Sequence, residues 1–335
     1  MPELGEGALT SVKTKANIQI NLYEEYFMTL PDLTRRTLLR TGLAATAAAL
    51  LPVGLRPARA FEIGAAVLTT VSDGNLVLPM GFAYPDAPQD ELLALLKANG
   101  LPTDALVPDC NVPILASGDR LVLFDVGSGS NFMPSAGRLL DNLAEAGFDP
   151  SDVTDVVFTH GHPDHLWGLI DDFDEMVFAN ARFHMGQAEW EFWRDPGTVD
   201  AMPEERKTFA IGAQNRLAHL EDMITLFSPG AEVLPGVEAV DTSGHTPGHM
   251  SFLLHGGPEP VLVAGDAITH FAVSFAHPSW PSGSDQDPGK GVETRLRLLD
   301  RLAADKAALT AYHLPAPGEG RVERDGTAYR FVASG

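Results

Sequence analysis

Short apolar runs recur along the chain beyond residue 60: NLVLPMGF (75–82), RLVLFDVG (120–127), VTDVVFTH (153–160), VEAVDTSG (237–244), PVLVAGD (260–266) and LTAYH (309–313). Runs of this length, rich in Val, Leu and Phe and bounded by Gly, Asp or His, predict buried strands. Between them the period lengthens. SAGRLLDNLAEAG (135–147) has apolar residues at helical spacing and stops on glycine. VETRLRLLDRLAAD (292–305) is amphipathic and predicts a helix with a cationic outer face. The stretch 186–222, dense in charge and aromatics, predicts further helix. Strands alternating with helices define an α/β layered fold. No linker, low-complexity run or heptad interrupts 61–335, which reads as one domain.

The first 60 residues carry a different pattern. LTRRTLLRTGLAATAAALLPVGLRPARA (33–60) pairs Arg35 with Arg36, runs through an Ala-rich apolar stretch and closes on Ala58-Arg59-Ala60, a small-x-small cleavage site. The apolar part, 41–55, falls short of the ~20 residues of a spanning helix. The segment resembles a twin-arginine signal, which exports folded proteins. It implies a periplasmic or secreted protein whose mature chain begins near Phe61. Residues 1–27 match neither signal nor fold, and Met28 is the start expected if the signal lies beside its initiator.

Composition narrows the function. The chain has 335 residues, 44% hydrophobic, enough for a substantial core. Its 23 basic against 45 acidic residues give a formal net charge of -22. Such a surface repels phosphate backbones and anionic lipid, which excludes nucleic-acid binding and stable membrane association. Cys110 is the one cysteine, so the fold has no internal disulfide.

The chemistry is concentrated in FTHGHPDHLWG (158–168). His160 and His162 alternate at the end of an expected strand and can converge on one ion, while Asp164 and His165 can turn toward a second. One metal needs three or four protein ligands, so this segment cannot complete two sites alone. Its partners follow other apolar runs: His245 in DTSGHTPGH, Asp266 in LVAGD and His313 in TAYHLP. Imidazole and carboxylate without thiolate suit two divalent ions, zinc first, with manganese, cobalt or iron as alternatives.

This ligand pattern, His-x-His-x-Asp-His followed by His245, Asp266 and His313, resembles that of the metallo-β-lactamase-fold hydrolases. The likeness runs from about residue 62 to 333. GRLLDNLAEAGFDPSDVTDVVFTHGHPDHLWGL, GHTPGHMSFLL and AYHLPAPGEGRVERDGTAYRFV bring it nearest to the methyl parathion hydrolase and lactonase-arylesterase group. The resemblance implies a four-layer αββα sandwich and a homodimer. It places His160, His162 and His245 on the first metal and Asp164, His165 and His313 on the second, with Asp266 bridging. Asp125 is either an aspartate that orients a ligand loop or a plain turn residue. His249 is expected to support its loop, and His184, His219 and His255 to pack or face solvent.

Two details of the resemblance narrow the branch: Asp266 sets the chain apart from the common zinc β-lactamases, and His162 favours hydrolysis over electron transfer. Common zinc β-lactamases use cysteine where Asp266 stands, and redox di-iron relatives place glutamate where His162 stands. A water shared by two cations has its pKa lowered to ~7, so the expected nucleophile is a bridging hydroxide. Asp164 and Asp266 are the expected catalytic carboxylates. Phe132, Trp167, Trp193, Phe209, Phe271 and Trp280 are aromatic candidates for the mouth. Phe132, Trp193 and Phe209 best match the family's leaving-group pocket, with Phe271 and His270 beside them. The stretch AITHFAVSFAHPSW (267–280) departs from the organophosphate hydrolase pattern. The expected substrate is therefore a small carboxylic ester, a lactone (N-acyl homoserine lactones included) or an aryl ester. An organophosphate triester is the alternative, ahead of a β-lactam or a non-catalytic metal- or ligand-binding role.

Overall fold

The computed structural model describes residues 61–334. The expected export signal and its cleavage site lie outside the described residues. The strands are β1 (Phe61–Ile63), β2 (Ala66–Asn75), β3 (Leu78–Pro79), β4 (Ala105–Leu106), β5 (Asp109–Ser117), β6 (Arg120–Phe124), β7 (Asp155–Val157) and β8 (Arg182–Gly186). They continue with β9 (Ile224–Phe227), β10 (Glu232–Leu234), β11 (Val237–Asp241), β12 (Met250–Leu254), β13 (Val261–Val263), β14 (Ala308–Thr310), β15 (Glu319–Asp325) and β16 (Ala328–Ala333). Two seven-stranded sheets result, in the orders β1-β2-β5-β6-β7-β8-β9 and β10-β11-β12-β13-β14-β15-β16, and β3 pairs with β4 separately.

Alternation along the strands explains the four layers. In β6, Val122 and Phe124 face the core shared by the two sheets, while Leu123 faces the helices outside. In β13, Val261 and Val263 join that shared core, and Leu262 packs with Leu298, Leu299 and Leu302 of the helix Pro288–Asp305. A strand buried on both faces must be apolar throughout, which is why these segments read as continuous runs. Helices cover the outer face of each sheet, giving the αββα sandwich.

Direction matters for the site. β6, β7, β8 and β9 are parallel, as are β13 and β14. β11 and β13 are each antiparallel to β12, so they share one direction. The ends of β7, β11, β13 and β14 therefore deliver their loops to one edge of the sandwich, the place where a rigid sheet can hold a precise site.

The structure corrects several expectations. Within 75–82 only Leu78–Pro79 is an independent strand, and Met80–Ala83 is a short helix. Pro79 lacks the N–H that a central strand needs, so the apolar side chains of this segment line a cavity. The helix expected from 135 begins at Leu139, whose N–H is held by the buried Asp73 carboxylate at 2.8 Å. The stretch 186–222 is broken into Gln187–Arg194, Gly197–Ala201 and Lys207–Ala218, with Pro196 and Pro203 at the interruptions. The helix Pro288–Asp305 is not cationic on its outer face alone. Arg295 is 1% exposed and donates through Nε to Pro278 O at 3.1 Å and through Nη2 to Trp280 O at 3.3 Å.

Candidate metal centre

Beyond β7 the chain runs through Phe158 and Thr159 to His160. Pro163 then starts a one-turn helix, Pro163–Leu166, that turns Asp164 and His165 inward. His245 follows β11, Asp266 follows β13 and His313 follows β14. The seven side chains expected to bind metal meet as two buried groups, His160 with His162 and His245, and Asp164 with His165, Asp266 and His313; in each, the candidate ligand atoms lie within 4.8 Å of one another.

Hydrogen bonds at the far side of each ring determine which nitrogen is free. Asp125 accepts from Thr159 N and Thr159 Oγ1, both at 2.7 Å. With that hydroxyl proton committed, Thr159 Oγ1 is an acceptor for His160 Nδ1 at 2.9 Å. His165 Nδ1 donates to Asp125 Oδ2 at 2.8 Å, His245 Nδ1 to Asp285 Oδ1 at 3.0 Å and His313 Nδ1 to Asp109 O at 2.8 Å. Each of these four rings therefore directs Nε2 at the centre, as a lone pair on neutral His160 and, once its proton is displaced, on His165 and His313. His162 is reversed: Nδ1 faces the group, and Nε2 lies 3.3 Å from the Gln286 amide. Asp125 therefore orients two ligand candidates at once, and its backbone has φ 68°, a strained value for a non-glycine.

The donor set fits cations. Asp164 Oδ2, His165 Nε2 and Asp266 Oδ1 are buried without a hydrogen-bond partner. Three such atoms would be costly if nothing bound them. His165 Nε2 lies 3.3 Å from Asp164 Oδ2 and 3.2 Å from Asp266 Oδ1; His313 Nε2 lies 3.2 Å from Asp164 Oδ2 and 3.1 Å from Asp266 Oδ2. Ligands on a tetrahedral ion with bonds of ~2.0–2.1 Å stand roughly 3.3 Å apart. Asp266 Oδ2 also lies 3.4 Å from His245 Nε2, which puts this carboxylate between the two groups. The first trio is tighter, with His162 Nδ1 at 3.0 Å from His160 Nε2 and 2.8 Å from His245 Nε2.

Charge divides the groups. Burial, and then the neighbouring imidazoles, hold His160 and His162 well below the ordinary histidine value, so both are neutral. Burial also acts against a charge on His165 and His313, but Asp266 and its neighbouring carboxylates outweigh it and raise both well above that value. Asp164 and Asp266 are pushed down in turn: burial opposes their charge, and His165 and His313 overcome it.

His249 supports its loop. Its Nε2 accepts from Asp266 N at 3.0 Å while Nδ1 contacts Thr242 Oγ1 at 2.8 Å, and burial followed by His245 lowers its pKa to about 3. An apolar cavity of about 280 Å³ opens onto His162, Asp164, His245, Asp266 and His313. Phe132 and Phe209 line it edge to face at 5.9 Å, with His270 on another wall. Two expected wall residues do not belong to it. Trp193 is 0% exposed and lies behind His162 with ring centroids 5.7 Å apart, because its indole N–H is drawn inward by buried Glu189. Phe271 stacks on His270 and faces a neighbouring cavity. Trp167 packs against Phe132, and Trp280 stacks on His277, both outside the main cavity's lining. The wall missed in the sequence is the 76–84 segment with Leu106, including Leu78, Phe82 and Tyr84.

Asp285, Gln286, Glu189 and Thr159 were also not singled out in the sequence. They lie in segments without a metal-ligand spacing, and only Thr159, beside His160, carried a positional signal. The three histidines expected to pack or face solvent do so: His184 is buried against Asp155 at 3.1 Å, His255 meets Glu238 at 2.8 Å, and His219 caps the helix Lys207–Ala218.

The family model of the metallo-beta-lactamase superfamily matches residues 105–313. This chain belongs to that superfamily of metal-dependent hydrolases. Among solved structures it is similar to AidC, a dizinc quorum-quenching lactonase in complex with a product N-hexanoyl-L-homoserine, at 26% identity and TM-score 0.78, covering 83% of this chain and 97% of that one. It is also similar to the hydrolase AbOPH of the beta lactamase superfamily, at 28% identity and TM-score 0.77, covering 82% and 97%. An N-acyl homoserine lactonase from Bacillus sp is 28% identical over 142 residues, 40% of this chain and 46% of the relative. The chain spans about half the length of the curated relatives it matches. No helix among the described residues is long and apolar enough to cross a membrane.

Proposed function

We propose that the protein is a two-metal hydrolase of carboxylic esters, with lactones carrying an apolar acyl chain as the preferred substrates. The observation that carries this reading is the apolar cavity opening directly onto two adjoining ligand groups. Zinc is the expected metal, supported by the imidazole and carboxylate donors and by the dizinc relative. His160, His162 and His245 would hold one ion, Asp164, His165 and His313 the other, and Asp266 would lie between them. Bound there, the ions supply Lewis acidity and lower the pKa of a water into the neutral range.

The chain's own groups do the rest. Leu78, Phe82, Phe132 and Phe209 exclude water and take up the acyl chain. His270 Nδ1 accepts from the N–H groups of Ala272 and Val273, both at 3.2 Å, so its ring proton resides on Nε2. Burial, then His313, lowers its pKa to about 4. His270 is thus a neutral donor on the cavity wall, suited to the ester carbonyl oxygen. Asp164 lines the same wall, and the carboxylate oxygen not engaged as a ligand would accept a hydrogen bond from the attacking water and pass its proton to the leaving alkoxide.

The Arg35–Arg36 pattern supports export in the folded state. The function is tested on zinc-loaded protein with short- and long-chain N-acyl homoserine lactones, dihydrocoumarin, aryl acetates, methyl parathion and a cephalosporin. Lactones are expected to turn over fastest, with activity lost on chelation. Preference for the phosphotriester, or equal rates before and after metal removal, would reject the proposal.

A further inference from the structure

A buried carboxylate outside both ligand groups ties together the two loops that carry the first. Glu189, on the helix Gln187–Arg194, is 0% exposed. Its Oε1 accepts from Gly161 N at 2.8 Å and from Trp193 Nε1 at 2.5 Å. Its Oε2 accepts from Thr246 Oγ1 at 2.7 Å and Gly248 N at 3.0 Å. Gly161 stands between His160 and His162, and Thr246 directly follows His245. The approach is close enough to demand glycine on both loops. A Cβ at 161 would lie 2.5 Å from Trp193 Nε1, and one at 248 only 2.1 Å from Glu189 N.

Three of the four partners are N–H groups, which donate and cannot accept. Both oxygens must accept, as those of a carboxyl group can and an amide nitrogen cannot. A buried anion is costly unless a positive charge offsets it. Gly161 N, Trp193 Nε1, Thr246 Oγ1 and Gly248 N are all neutral donors. The adjacent His160, His162 and His245 bring no negative charge of their own to a cation. The helix therefore inserts a carboxyl group, held by four hydrogen bonds, behind a trio of imidazoles; burial works against its charge, the four donors favour it, and a cation beside it would favour it further.

We propose that Glu189 is a positioning residue for the first metal: it locks the loop of His160 and His162 to the loop of His245 and places a balancing negative charge beside an all-imidazole site. This rests on the metal reading above. It predicts a defect confined to one of the two ions.

The test is zinc titration of the full metal-free chain against a chromophoric chelator, for wild type, Glu189→Gln and Trp193→Phe. Wild type is expected to bind two ions. Glu189→Gln should keep one at wild-type affinity and bind the other about 10–100-fold more weakly, the usual effect of losing an outer hydrogen-bond partner. Trp193→Phe, which removes one donor and keeps the carboxylate, should show a smaller loss at the same site. Glu191→Gln, on the same helix but bonded to Gln187, should match wild type. Cobalt spectra of His245→Ala and His313→Ala identify which site is lost. Folded Glu189→Gln binding both ions as wild type does, or losing both equally, would overturn the proposal. Should Glu189→Gln fail to fold, Thr246→Ala removes one hydroxyl donor and must still weaken the first site selectively, or the proposal falls. If wild type binds no metal at all, the metal reading itself is wrong and this inference goes with it.

Discussion

The two ligand groups adjoin, yet they are built on opposite electrostatic plans. His160, His162 and His245 form a trio without a carboxylate, each with its outward nitrogen against a polar group of a neighbouring residue. Asp164 and Asp266 give the other group two anions, and their charges are strong enough to raise the pKa values of His165 and His313 against the effect of burial. The first site is organised by orientation and the second by charge. Outlying supports such as Asp285 and Glu189 should therefore matter most to the first, and the inner carboxylates to the second.

The largest effect is expected where the plans meet. Asp266 approaches His245 at 3.4 Å and His313 at 3.1 Å, so Asp266→Asn should weaken both ions and reduce kcat/KM on a good ester by several kcal/mol, about 10³-fold. Asp164→Asn should release the second ion, spare the first and reduce kcat by about 10²-fold; loss of both ions on metal analysis would break the distinction. Asp285→Ala removes the acceptor of His245 Nδ1 and should weaken only the first ion, about 10-fold. An equal loss at both sites would show that the loop stabilises the fold at large.

Proton release sharpens the contrast. In the metal-free chain His165 and His313 have raised pKa values, so they stabilise the fold fully below their unfolded value of ~6.5 and lose that contribution as pH rises through the folded value. His160 and His162 have lowered values, so the fold loses stability as pH falls below ~6.5, where the unfolded chain takes up their protons. Zinc loading near pH 7 should accordingly displace protons from the second group and none from His160 or His162. An indicator-dye titration of His245→Ala that detects no release would contradict this. The smallest expected effect lies away from the ions. Phe209→Ala should raise KM about 10-fold for long-chain lactones by removing part of the apolar wall, with metal content unchanged.

Legibility in the sequence followed the same division. The seven ligand candidates were visible because metal coordination needs particular residue types at the ends of buried strands. The central strands β6, β7, β13 and β14 were visible because burial on both faces leaves short, mainly apolar runs, with polar residues such as Asp155 and Thr310 only at their ends. Strands such as β5 and β8 were not: DCNVPILAS mixes polar residues with a proline, and RFHMG is short with a histidine in its middle. The cavity wall was legible only in part. Phe132 and Phe209 were found, but Trp193 and Phe271 carry the same aromatic signal and face elsewhere, since direction is set by tertiary contacts such as Trp193 with Glu189. Asp285 and Gln286 reach the histidines through a loop, SGSDQD, that has no periodicity to read.

The ligand candidates are divided between the two sheets: His160, His162, Asp164 and His165 follow a strand of the first, whereas His245, Asp266 and His313 follow strands of the second. Neither half alone offers a finished coordination shell for either ion. Capture of metal would then come late, once the two sheets have docked, and the ions would act as a cross-brace riveting one slab of the molecule to the other. Chelators should for that reason loosen the joint between the halves before they unravel either one.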